Sequence, residues 1–154
     1  MLSVCSAAGQ LSEARSGLAA AAISIGGTNQ KVFFGGGSNR VDIYDINTGI
    51  WSTANLSQAR YWLAATSAGS KVLFGGGQYN ETLTSSVVDI YDVTTGDWSV
   101  TNFTAWGRRF LAAASAGNKI LFAGGYSVPT NIFLNEVDIY DVNTGIWTRN
   151  VLSQ

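Results

Sequence analysis

Residues Val41-Asp42-Ile43-Tyr44-Asp45-Ile46-Asn47-Thr48-Gly49-Ile50-Trp51 decide the fold, because the chain returns to them twice. The copies are Val88-Asp89-Ile90-Tyr91-Asp92-Val93-Thr94-Thr95-Gly96-Asp97-Trp98 and Val137-Asp138-Ile139-Tyr140-Asp141-Val142-Asn143-Thr144-Gly145-Ile146-Trp147. The Trp always stands seven residues after the Tyr, and the period measured on the tryptophans is 47 and then 49 residues. Self-similarity at such a period marks solenoids, propellers or arrays rather than one irregular core.

Within each copy, an apolar strand runs into Asp-x-[Asn/Thr]-Thr-Gly, which is turn chemistry. The Asp or Thr side chain accepts from backbone N–H groups, and Gly49, Gly96 or Gly145 supplies the positive φ of a hairpin with a bulge. The Trp then opens the next strand. Working upstream, Lys31-Val32-Phe33-Phe34, Lys71-Val72-Leu73-Phe74 and Lys119-Ile120-Leu121-Phe122 form a strand apolar enough to be covered on both faces. It ends at Gly35-Gly36, Gly75-Gly76 and Gly124-Gly125, where missing side chains allow a bulge or the close approach of another backbone. Further upstream lie the Ala-rich stretches 18–23, 63–67 and 111–115. Alanine is a poor strand former, but these runs are too short for a helix, and small side chains suit strands that converge on a crowded centre.

Four short antiparallel strands per unit, apolar on both faces, need neighbours on both sides, as propeller blades do. The Gly-Gly doublet after strand two, the Tyr-Asp of strand three and the Trp of strand four resemble the kelch repeat family over about residues 11–150. The WD40 alternative needs a Gly-His signature, and the chain has no histidine. The expected fold is therefore all-β, with three kelch-type blades at 11–55, 56–102 and 103–150. Residues 1–10 are an N-terminal segment, and 151–154 begin a further repeat, since Leu152-Ser153-Gln154 restates Leu56-Ser57-Gln58. Three blades do not close a ring. Two resolutions stay open: a piece of a longer array, or two copies joined as a six-bladed dimer.

Composition removes several functions. The 154 residues carry 9 Lys+Arg against 10 Asp+Glu, a net charge of -1, which offers no electrostatic footprint for nucleic acid or an anionic membrane. The single cysteine, Cys5, excludes intrachain disulfides and thiolate zinc sites. The lack of histidine removes Ser-His-Asp and Cys-His catalysis and most transition-metal chemistry, so no metal or cofactor is expected. No apolar run reaches the length of a membrane span, and residues 1–8 lack a basic n-region. The compartment stays open.

The resemblance places the loops from strand two to three, and from strand four to the next strand one, on one face that commonly binds a partner. In the second and third units the two-to-three loops are long, which makes Tyr79, Asn80, Glu81, Tyr126, Asn131 and Phe133 candidate contacts. Arg15, Arg60 and Arg108 each stand three residues before the Leu that begins the inner strand, with Arg109 beside the last. Converging on a channel rim, they would hold a carboxylate or an acidic peptide. Alternatively, each pairs with Asp42, Asp89 or Asp138 inside the blades. Trp62 and Trp106, joined by Tyr61 and Phe110, are aromatic candidates at the same mouth. The expected function is a non-catalytic protein- or peptide-binding module or scaffold, whose partner is acidic if the arginines form the rim. The alternatives are a carbohydrate-binding module and a sugar isomerase or epimerase using Glu13 or Glu81, to which the family resemblance also extends.

Overall fold

The computed structural model describes residues 9–152; Cys5 and the last two residues of the expected further repeat lie outside them. The first sheet is a meander of β1 (Leu18–Ile25), β2 (Asn29–Gly36), β3 (Ser38–Asp45) and β4 (Ile50–Arg60). The second contains β5 (Ala64–Ala68), β6 (Lys71–Gly75), β7 (Val87–Asp92) and β8 (Trp98–Asn102). In the third, β9 (Ala112–Ala116) and β10 (Lys119–Ala123) are followed by a small hairpin, β11 (Tyr126–Ser127) and β12 (Ile132–Phe133), before β13 (Glu136–Asp141) and β14 (Trp147–Val151) complete the sheet. All pairings are antiparallel. The described chain has no helix; it is three four-stranded blades of a partial kelch-type propeller.

The Ala-rich strands are innermost, with β1 beside β5 and β5 beside β9. Strand alternation then sends each blade's side chains to two different neighbours. Phe33 and Ile43 are cross-strand partners on the face of the first blade that meets the second. Opposite them stand Val72, Phe74, Tyr91 and Trp98, forming one continuous core with Leu56 and Leu63. The same arrangement recurs between the second and third blades, where Leu73 and Ile90 meet Ile120, Phe122 and Tyr140. Phe33, Leu73, Val72, Phe74, Ile120 and Phe122 are completely buried. At about 1.5–3 kcal/mol for each such side chain, these two interfaces are the principal stabilisation of the array.

The hairpin chemistry is as the sequence implies. Asp45 accepts from the amides of Asn47 and Thr48 at 3.0 Å each, Gly49 takes φ 71°, and Lys31 reaches Asp45 at 2.5 Å. Lys71–Asp92 and Lys119–Asp141 repeat the contact.

Two expectations need correction. The functional glycine doublet lies one residue later in the first two blades: positive φ falls on Gly36-Gly37 and Gly76-Gly77, matching Gly124-Gly125. Neighbouring chain crowds Gly36, Gly37, Gly76, Gly77 and Gly125, and a Cβ at Gly76 would stand 2.7 Å from the Arg108 carbonyl, whereas at Gly124 the nearest atom is 3.6 Å away. The loop expected over 126–135 also carries the β11–β12 hairpin, folded by its own Tyr126–Phe133 ring contact at 5.1 Å.

Candidate functional site

Each blade is preceded by the same crossing segment: Leu11-Ser12-Glu13-Ala14-Arg15, Leu56-Ser57-Gln58-Ala59-Arg60, and Phe103-Thr104-Ala105-Trp106-Gly107-Arg108 with one residue more. The hydroxyl residue donates its amide to the Asp of the third strand in the blade that follows: Ser12 to Asp42, Ser57 to Asp89 and Thr104 to Asp138, at 2.8–2.9 Å. The arginine pairs with the other oxygen of that Asp. Arg15–Asp42 is 2.6 Å, Arg108–Asp138 is 2.7 Å, and Arg60–Asp89 makes the same contact. Their remaining donors reach backbone carbonyls, as in Arg60 Nη1 to Gly76 O at 2.7 Å and Arg15 Nε to Gly36 O at 2.8 Å.

Arg60 and Arg108 are completely buried, and the Arg15 side chain is only 3% exposed. These three guanidinium groups therefore do not form a ligand-binding rim; they are committed within the blades, the second of the two arrangements the sequence allowed. Burial raises the Asp42 carboxyl pKa, but the Ser12 amide and Arg15 outweigh it and leave it below the ordinary value. Burial lowers the Arg60 pKa, and Asp89 partly offsets this. The arginine clamp that the isomerase alternative requires is likewise not formed by these side chains. Glu13 accepts from the Ser38 hydroxyl, and Glu81 is exposed in its loop.

Two residues after each arginine the backbone turns left-handed, at Gly17 (φ 69°), Trp62 (φ 60°) and Phe110 (φ 58°). A hydrogen-bond ladder links them, from Trp62 N to Gly17 O at 2.7 Å and from Phe110 N to Trp62 O at 3.1 Å. The Trp62 and Phe110 side chains gather at the mouth of the array. The Trp62 and Phe110 rings are 5.0 Å apart and tilted by 42°, and Tyr61 meets Trp62 edge-on at 5.1 Å. Arg109 lies across this cluster, with its guanidinium carbon 4.9 Å from the Trp62 ring, 4.7 Å from Phe110 and 5.5 Å from Tyr126. Its Nη1 donates to Gln78, and its backbone pairs with Tyr126. Among the described residues, Arg40 and Arg109 are the Lys or Arg side chains that have no carboxylate within ion-pair distance.

Two hollows flank the stack. One of about 400 Å³ is lined by Arg15, Ser16, Gly17, Gly37, Tyr61 and Trp62. The other, about 440 Å³, is lined by Arg109, Phe110, Tyr126, Asn131 and Phe133, of which Phe133 is 86% exposed. Of the sequence candidates, Arg109, Trp62, Tyr126, Asn131 and Phe133 thus come together, with Asn131 accepting from the Tyr126 hydroxyl at 2.5 Å. Others do not join them. Asn80 braces its own loop by accepting from the Thr82 and Leu83 amides, while Tyr79 and Trp106 are exposed without ring contacts to the cluster among the described residues. Gln78 was not a sequence candidate, yet its side chain fixes Arg109. Nothing local in the sequence distinguishes it.

No curated protein sequence matches the chain. Residues 107–149, which run from just before Arg108 through β9, β10 and β13 into β14, match the Kelch motif. The first two sheets repeat the glycine doublet, the Tyr-Asp and Trp positions and the buried Arg–Asp pair found in this region, so the motif match supports a kelch repeat family.

Proposed function

We propose that the chain is a non-catalytic interaction module that holds an extended, acidic segment of a partner protein at the aromatic mouth. The observation that carries this reading is Arg109, a cation without a carboxylate partner among the described residues, laid across exposed rings between two hollows. The aromatic faces orient the guanidinium and supply apolar contact area; Nη1 is taken by Gln78 and Nε is buried, so Nη2, which makes no hydrogen bond among the described residues, is the donor left for a carboxylate. Kelch propellers commonly bind proteins, which supports the reading by analogy of fold. The test is selection of random displayed peptides on the immobilised chain. Acidic peptides should be enriched, and Arg109→Gln should weaken the best of them at least about tenfold, a loss of roughly 1.4 kcal/mol. Enrichment that ignores charge, or survives in Arg109→Gln, overturns it.

We further infer that copies of the chain associate through their end blades. Leu121 and Ile139 of the third blade occupy the positions of the buried Leu73 and Ile90 but are only half-buried. At the other end, Val32 and Phe34 correspond to the buried Val72 and Phe74 and are also half-buried. Each open face is thus half of an interface that the chain builds twice internally. Ala123 stands where Gly35 and Gly75 admit the phenyl ring of the following blade, so Phe34 of a second copy must seat slightly farther out than Phe74 or Phe122 does.

A further inference from the structure

The left-handed turn before each inner strand is a requirement of the blade, and the three blades meet it with different residues. Gly17 meets it with no side chain to strain. Trp62 and Phe110 adopt the same conformation with large side chains, although every residue bearing a Cβ is disfavoured there. Burial does not compensate them. Trp62 is 40% exposed and Phe110 58% exposed, and neither belongs to the two inter-blade cores. The hydrogen-bond ladder uses only backbone atoms and passes through Gly17 equally well.

We infer that Trp62 and Phe110 are the specificity-determining residues of the mouth, kept against the backbone's preference because their tilted pair receives an aromatic side chain standing next to the partner's acidic residue. This rests on the proposed peptide-binding reading. The two rings form the ridge between the hollows, Trp62 lining one and Phe110 the other. Arg109 touches both ring faces, so a carboxylate held by its Nη2 brings the neighbouring peptide residue onto the ridge. Tilted and edge-on packing of a third ring is the favoured geometry for such a group.

The experiment compares the wild-type chain with Trp62→Gly, Phe110→Gly and the double variant, using the tightest peptide from the displayed random library as probe. The expected peptides pair Asp or Glu with an adjacent Phe, Tyr or Trp. The double variant should lose at least about tenfold in affinity while its thermal midpoint stays at or above that of the wild type, and Trp62→Phe should bind within about threefold. A falling midpoint would assign the rings a structural role and overturn the inference, as would unchanged affinity in the double variant or selected peptides without an aromatic residue. Affinity lost in Arg109→Gln but kept in the glycine variants removes this inference and leaves the peptide-binding reading standing. Absence of any enriched peptide on the wild-type chain removes both.

Discussion

Arg60 ends the outer strand of the first blade, yet its guanidinium pairs with Asp89 inside the second. At the same residue, the backbone carbonyl of Arg60 accepts from Gly37 of the first blade at 2.8 Å. One residue therefore ties two sheets, its main chain to the blade behind and its side chain to the blade ahead. Arg108 repeats this, accepting from Gly77 at 2.8 Å and pairing with Asp138. Blade-to-blade register is set by these paired contacts as well as by the apolar cores.

Arg60→Ala is accordingly expected to destabilise the chain by about 3–5 kcal/mol, because it leaves Asp89 charged, buried and unpaired. Urea unfolding checks this. A loss below about 1 kcal/mol would show that Asp89 finds water or another donor.

The glycine doublet separates two kinds of positive-φ site. Gly96 (φ 79°) has nothing within 4 Å of an added Cβ, so Gly96→Ala should show only the left-handed backbone penalty of about 1 kcal/mol. At Gly76 (φ 72°), the same change also drives a methyl group toward the Arg108 carbonyl at 2.7 Å, and about 3 kcal/mol or more is expected. Equal losses in denaturant titrations would contradict the close approach.

The sequence made the repeat legible because the period, the Tyr–Trp spacing and the turn glycines are all local. The doublet's register was not, since Gly35-Gly36-Gly37 and Gly75-Gly76-Gly77 offer two placements, and only Ala123-Gly124-Gly125 distinguishes them. The arginines were ambiguous for another reason. A repeated cation before an inner strand is equally consistent with a rim and with a buried pair, and the choice depends on where the crossing segment lies over Asp42, Asp89 and Asp138. Trp62 and Phe110 gave a readable sign only in hindsight of the backbone: they align with Gly17, a residue whose identity reports the conformation that all three share.

Stability should fall on acidification in a definite window. The Lys119 hydrogen bond, with the Asn143 and Thr144 amides, outweighs burial and holds Asp141 down at about 2. At Asp92, burial raises the pKa, but Lys71 and the Thr94 amide among other donors prevail, again giving about 2. Both values lie below the unfolded carboxyl value of about 3.9, so their stabilisation is complete above that pH and is lost as pH falls through about 2. The urea midpoint should be level above about pH 5 and decline between about 4 and 2. Combining Asp92→Asn with Asp141→Asn should flatten part of that decline, and an unchanged slope would place the titration in other carboxylates.

The open end faces predict a particular pattern of association. Light scattering of the chain should give twice 16.3 kDa if the third blade of one copy meets the first blade of another. Leu121→Asp charges one open face and Phe34→Asp the other, and each alone should yield monomers that retain their β-sheet spectrum, because both residues are only half-buried. Leu73→Asp, at the completely buried equivalent of Leu121, should instead unfold the array. The informative sample is an equimolar mixture of the two monomeric variants. In a head-to-tail pair, one interface then joins the two damaged faces while the other joins two intact ones, so the mixture should recover a dimer that neither variant forms alone. If the third blades met each other, Phe34→Asp would stay dimeric by itself. A monomeric wild-type chain at micromolar concentration would remove the association altogether.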